Sequence, residues 1–215
     1  MYMSGHDVSF ALRILALWLA AGLAQAQAQV TSTDTEGKGG VDVFVSETYF
    51  PVRDAGVHSL DALVLVGITK RLDLLAGPAV NLGFEKAGTE VQWLAEYGFQ
   101  YKLHDGRHWR LLTENAASSP WTNRRAGSHT VFASVSISRD FRLSKHKVVA
   151  YAGYGPTFTV GNHSDLLFSS KNSAHNFPLG VMIPAGGKWE FFLEYGLRRP
   201  NYYSSGVSCN VRANE

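Results

Sequence analysis

The chain has one cysteine among its 215 residues, and each of the things it lacks removes a class of function. Cys209 alone cannot close an intramolecular disulfide, and no cysteine follows the leader to carry a lipid. It lies between Val207 and Val211 on an apolar alternating face, where it reads as a small hydrophobe and not as a nucleophile. Beyond the leader no run approaches the ~18 apolar residues a transmembrane helix requires, so none is expected. Charge is nearly balanced, 20 basic against 18 acidic residues, with no basic cluster, which argues against nucleic acid as a partner. His58, His104, His108, His129, His146, His163 and His175 form no metal-binding spacing, so neither a metal nor another cofactor is expected.

The first 28 residues read as an export signal. Arg13 gives a positive start, Ile14–Leu23 is an apolar core, and Ala24-Gln25-Ala26 or Ala26-Gln27-Ala28 offers the small-x-small cleavage pattern. The core is too short to cross ~30 Å of hydrocarbon as a helix. Residues 29–40 are polar and without period, and read as a flexible lead-in; residues 41–212 form one domain.

What the domain has in quantity is alternation with a period of two. In Thr89–Leu103, Val91, Trp93, Ala95, Tyr97, Phe99, Tyr101 and Leu103 fall on one face. Glu90, Gln92, Leu94, Glu96, Gly98, Gln100 and Lys102 fall on the other. Successive strand side chains point to opposite faces, so this is one strand far longer than the usual five or so residues. The same pattern predicts strands at Val41–Phe50, Ser59–Lys70, Asp73–Glu85, His108–Ala116, Thr130–Leu143, Lys147–Val160, Asn176–Pro184, Lys188–Arg198 and Ser205–Arg212. Ten strands fit the connections best; eight is the alternative, since His108–Ala116 and Asn176–Pro184 alternate weakly. Short breaks at one end and the longer 117–129 and 161–175 at the other match an antiparallel transmembrane β-barrel with short periplasmic turns.

A soluble barrel would alternate too. Here the strand glycines (Gly67, Gly77, Gly83, Gly98, Gly153, Gly155, Gly180 and Gly196) fall on the polar face, where a narrow lumen needs room. The apolar face is loaded with Tyr49, Trp93, Tyr101, Trp109, Phe158, Trp189 and Tyr195, several near strand ends where a membrane interface would lie. The unit from Gly67 to Pro78, with Ser138-Arg139-Asp140-Phe141-Arg142 and Phe192–Arg198, resembles hairpins of small bacterial outer-membrane β-barrel proteins. That resemblance implies export to the outer membrane of a Gram-negative bacterium. It also implies contact with outer-membrane lipids and lipopolysaccharide, and handling by periplasmic chaperones and the barrel-assembly machinery. Unlike such proteins, the chain ends on Arg212-Ala213-Asn214-Glu215 and not on an aromatic residue.

Within the lumen the pattern places Glu90, Glu96, Lys102, Arg110, Glu114, Asp140, Arg142, Glu190, Glu194, Arg198 and Arg212. In so small a barrel these charges must pair, as a structural salt-bridge core or as the lining of a narrow solute path. Trp121, Arg124, Arg125 and Phe168 are the recognition candidates in the longer loops, the two arginines suiting lipopolysaccharide phosphates. Some outer-membrane barrels trim lipid A with serine, histidine and a carboxylate. Leu112–Ala116 resembles their catalytic strand, but has Leu112 for the histidine and Glu114 for the serine, and Ser128–His129 are adjacent and would not meet. No catalytic residue is nominated. The expected role is structural, surface-interactive or the limited passage of small solutes. The rivals are a lipid A-modifying enzyme and a soluble periplasmic barrel holding an apolar ligand.

Overall fold

The computed structural model describes residues 32, 34–52, 55–85, 88–121, 128–143, 146–161, 174–197 and 201–212. The expected export signal lies outside the described residues. Ten strands follow one another: β1 Val41–Val52, β2 Ala55–Gly67, β3 Leu72–Glu85, β4 Gly88–Asp105, β5 Arg110–Pro120, β6 Ser128–Leu143, β7 His146–Gly161, β8 Ala174–Pro184, β9 Trp189–Leu197 and β10 Tyr202–Arg212. Each pairs antiparallel with its neighbours, and β10 returns to β1, so the sheet is a closed ten-stranded barrel.

Every predicted strand is present, and the differences are at the ends. β5 runs on through Ser118 and Ser119, which pair with Glu96 and Ala95 of β4. Serine carries little strand preference of its own, but its backbone groups complete the ladder as well as any other residue's. β2 stops at Gly67, short of Lys70, because the amides of Ile68 and Thr69 both bond to the Leu72 carbonyl and close the turn.

Alternation sorts the side chains as expected. Outward stand Trp93, Tyr97, Trp189, Leu193 and Tyr203, each at least about half exposed. Inward the chain is less polar than its pattern suggested: Phe44, Leu63, Leu65, Leu75, Phe132 and Phe192 pack into one buried cluster inside the barrel. Phe44 and Phe192 stack at 4.8 Å.

The inward glycines make that filling fit. Gly196 pairs with Tyr202 across β9 and β10, and a Cβ at Gly196 would overlap the Tyr202 ring. Gly180 stands in the same relation to Tyr151 across β7 and β8. In both, the ring lies down over its neighbour's bare backbone, covering a glycine that would otherwise weaken the sheet. Gly196→Val should displace the Tyr202 ring at a cost of roughly 1–3 kcal/mol. The expected outcome is conversion of the folded to the unfolded electrophoretic form at a lower temperature, with the outward Ser205→Val unchanged. Equal conversion temperatures would mean the ring is not held this way.

Candidate functional site: the lumen and its strapped mouth

Moving inward along the strands from the chain-terminal end, the lumen is built in rings. The first inward positions are Asp42 on β1, Asp73 on β3, Arg110 on β5, Lys147 on β7 and Glu190 on β9, a charged mouth. Two residues further in come Phe44, Leu75, Leu112, Val149 and Phe192, an apolar ring whose members are all buried. The next step gives Ser46, Glu114, Tyr151 and Glu194 on β1, β5, β7 and β9. A period of two along every strand turns sequence position directly into depth.

Across the charged mouth lies the segment 34–40, read from composition as a flexible lead-in. It is instead a strap. Gly37 and Gly39 have φ of 73° and 81°, a left-handed conformation that favours glycine. They fold the chain back so that the Gly39 amide donates to the Gly67 carbonyl at 2.7 Å and the Gly67 amide to the Gly40 carbonyl at 2.9 Å. A Cβ on Gly67 would collide with the Gly37 carbonyl, so the close approach depends on that residue too. The glycines that looked like a linker build a turn.

The strap then reaches from one wall to the other. The Asn210 side-chain amide of β10 donates to Glu36 Oε2 at 2.8 Å, and the Glu36 backbone amide donates to Asp73 Oδ2 of β3, also at 2.8 Å. Gln100 of β4 donates through Nε2 to Asp73 Oδ2 at 2.7 Å and to the Asp34 carbonyl at 3.0 Å. The Asp34 carboxylate ends the strap between two cations, Lys102 Nζ at 2.5 Å from Oδ1 and Arg110 Nη1 at 3.1 Å from Oδ2. Arg110 also meets Asp140, which Lys147 Nζ approaches at 2.8 Å.

The two strap carboxyls titrate in opposite directions. Burial works to raise Asp34, but Lys102 and Arg110 together hold it below the usual aspartate value. Glu36 is pushed up to about 8, first by burial and then by Asp42, Asp73, Glu190 and Asp34 around it. A polar cavity of about 430 Å³ lies beside them, lined by Glu36, Asp42, Arg110, Lys147 and Glu190 among others.

Deeper in, the charges are of one sign. Among the described residues the inward basic side chains, Lys102, Arg110, Arg142 and Lys147, all stand at the mouth. Glu194 accepts hydrogen bonds from Tyr151 at 2.9 Å and Tyr202 at 2.8 Å. Asp61 accepts from Ser59 at 3.0 Å and Ser46 at 3.1 Å, and Glu96 lies within the electrostatic reach of Asp61 and Glu114. Ion pairs thus join Lys102, Arg110, Lys147 and Asp140 at the mouth, whereas Glu194 and Asp61 further in accept from hydroxyls. Neutral donors satisfy carboxyl oxygens without bringing a second charge into the interior.

Of the sequence candidates, the mouth brings together Lys102, Arg110 and Asp140, with Glu190 lining the cavity, while Arg142 is exposed at the end of β6. Glu96, Glu114 and Glu194 lie deeper. The side chains of Glu90 and Arg212, and Arg124, Arg125, Phe168 and Arg198, lie outside the described residues. Trp121 is 68% exposed at the end of β5, where its amide bonds to the Trp93 carbonyl at 2.8 Å. Sequence reading passed over Asp34, Glu36, Asp42, Asp61 and Asp73. The last three share the parity of their inward neighbours and could have been found by it. Asp34 and Glu36 could not, since nothing in an aperiodic segment says where it folds.

Leu112 and Glu114 are both buried in the lumen, so Leu112–Ala116 presents no catalytic pair to the exterior. His129 instead meets Ser119 across β5 and β6, Oγ to Nδ1 at 2.9 Å, and Ser119 lies 3.2 Å from the Tyr97 hydroxyl. Among the described residues no carboxylate hydrogen-bonds this histidine.

Docking of the strap should have two pH limits. Asp34 contributes stability above its ordinary pKa of 3.8, lost as pH falls through its lowered folded value. Glu36 favours the docked state fully below its ordinary 4.5, and that contribution is lost as pH rises to about 8. Protease cleavage within 34–40 is expected to increase at pH 9 relative to pH 5. Glu36→Gln should remove the alkaline increase, and Asp34→Asn should raise cleavage at both. A pH-independent rate in the unsubstituted chain would contradict the assignment.

No protein-family model matches the chain, and no curated protein matches it. Among solved structures it is similar to the translocator domain of autotransporter NalP from Neisseria meningitidis, at 9% identity and a TM-score of 0.45, covering 95% of each chain. It is also similar to KdgM porin, at 9% identity and a TM-score of 0.39, covering 80% of this chain and 99% of that one. For the outer membrane channel DcaP of Acinetobacter baumannii the values are 8% and 0.30, with 88% of this chain and 68% of that one covered.

Proposed function

We propose that the protein spans the outer membrane of a Gram-negative bacterium as a resting, closed barrel. Its lumen acts as a structural core and, when the strap leaves the mouth, as a narrow path for small cations. The observation that carries this reading is a closed sheet with an apolar outside and a strapped, acid-lined inside.

The exterior supports the membrane location. Leu60, Val64, Val66, Leu74, Val91 and Ile137 are exposed on outward positions, and no soluble barrel presents so continuous an apolar wall to water without cost. Aromatic rings mark both ends of the wall: Tyr49, Tyr154, Tyr195 and Tyr203 towards the longer loops, Trp109, Phe141 and Trp189 towards the short turns. Tyrosine and tryptophan gather where an apolar body and a polar tip can both be satisfied. Lipopolysaccharide would then surround the longer loops, and chaperones and the assembly machinery would act during export.

The interior supports the closed state and the sign of the permeant. Inward strand positions carry Asp42, Asp61, Asp73, Glu96, Glu114, Asp140, Glu190 and Glu194 against Lys102, Arg110, Arg142 and Lys147. An acidic, low-dielectric lumen concentrates cations and excludes anions. The apolar ring at Phe44, Leu75 and Phe192 adds a barrier that opens only with side-chain movement.

Membrane fractionation with electrophoresis before and after boiling tests the location, and planar-bilayer recording tests the lumen. The expected result is a membrane-bound, heat-modifiable protein that is almost silent as purified. A combined Asp34→Ala and Glu36→Ala variant should then show frequent openings that prefer potassium over chloride. A soluble protein would end the membrane reading. A large, steady, anion-preferring pore in the unsubstituted chain would end the closed-barrel reading.

A further inference from the structure

On the outer wall, at the short-turn end, the Arg139 guanidinium faces outward with no carboxylate partner among the described residues. Arg139 stands on an outward position of β6, and among the described residues its contact is the Phe141 ring, 5.4 Å from the guanidinium carbon to the ring centroid. Its neighbour Asp140 turns inward and is committed to Arg110 and Lys147. A bare charge on the membrane face of a barrel is unfavourable at the midplane and tolerable near an interface.

Beside Arg139 runs an apolar groove of about 450 Å³. Its floor is low because Arg139 and Ile137 of β6 pair with the small residues Ala150 and Ala152 of β7. Trp109 forms another part of the lining and is held in place by stacking on His104 at 4.1 Å. The result is a shallow apolar groove with a cation at one side and an indole beside it.

We propose that this groove binds a glycerophospholipid of the periplasmic leaflet, an acyl chain lying over Ala150 and Ala152 and the phosphodiester pairing with Arg139. The proposal rests on the outer-membrane reading, which puts the short turns on the periplasmic side. Charge complementarity selects the occupant: a planar guanidinium takes two phosphate oxygens at once, and a chain of methylenes fills the slot beneath. The aromatic contact with Phe141 holds the guanidinium near the surface before the lipid arrives.

Native mass spectrometry of the detergent-purified full chain tests this, with dioleoyl phosphatidylglycerol, dioleoylglycerol and lipid A as probes. The expected result is one retained phosphatidylglycerol, bound roughly tenfold more tightly than dioleoylglycerol, which lacks the phosphate. Arg139→Leu should remove that preference, Arg139→Lys should keep part of it, and Ala150→Trp should lower occupancy by filling the groove. Each variant is first shown to keep its heat-modifiable mobility; if Arg139→Leu does not fold, Arg139→Lys and Ala150→Trp carry the test. Equal binding of phosphatidylglycerol and dioleoylglycerol, tighter binding of lipid A, or an unaltered Arg139→Leu would overturn the site while leaving the membrane reading intact. Failure to recover the protein in membranes would overturn both.

Discussion

The seam between β1 and β10 is the constraint on which the rest depends. From Val41–Arg212 to Tyr49–Tyr203 the two ends of the domain pair antiparallel, and the sheet is left without an edge. An open sheet would leave a row of unpaired amides and carbonyls along each edge, and closure removes both edges. Once the sheet closes, one parity of every strand is confined to a narrow interior. The large side chains there need space, and glycines on the neighbouring strands provide it. Tyr151 over Gly180 and Tyr202 over Gly196 are the clearest cases, and those same two rings supply the hydroxyls that satisfy Glu194.

Closure also explains how charge is distributed. At the mouth water can enter, and cations and carboxylates mix: Lys102, Arg110 and Lys147 with Asp34 and Asp140. Two residues inward come the buried apolar side chains, and beyond them Glu194 accepts from tyrosine hydroxyls and Asp61 from serine hydroxyls. The strap belongs to the mouth because its two acidic residues find different answers there. Asp34 finds two cations and remains ionised, whereas Glu36 finds other carboxyls and holds its proton to about pH 8. A segment held by one ion-pair cluster and one protonated acid loses support as pH moves far to either side of neutral.

Much of the barrel was legible in advance because the strand period is fixed by covalent geometry. Trp93, Tyr97 and Leu193 outward, Lys102, Glu114 and Glu194 inward, follow from parity alone, while the spacing of the breaks favoured ten strands over eight and the closed sheet decides for ten. Even the inward glycines of β7, β8 and β9 could be assigned to their face. Parity says which side of the wall a residue occupies. It does not say who stands across the lumen, since that depends on register and closure between strands distant in sequence.

The sequence by itself therefore determined the strands, their two faces and the kind of surface each face presents, because those are properties of consecutive residues. Tertiary structure alone decided that residues 34–40 cross the mouth, where composition had suggested a free linker: Gly37 and Gly39 become a turn only when Gly67 is there to receive it. It decided that Asp34 meets Lys102 and Arg110 from two strands, and that His129 meets Ser119. It also decided that Arg139 is left facing outward beside a groove made by the alanines of the next strand. Each of these joins groups far apart along the chain, and only the closing of the sheet brings them within reach.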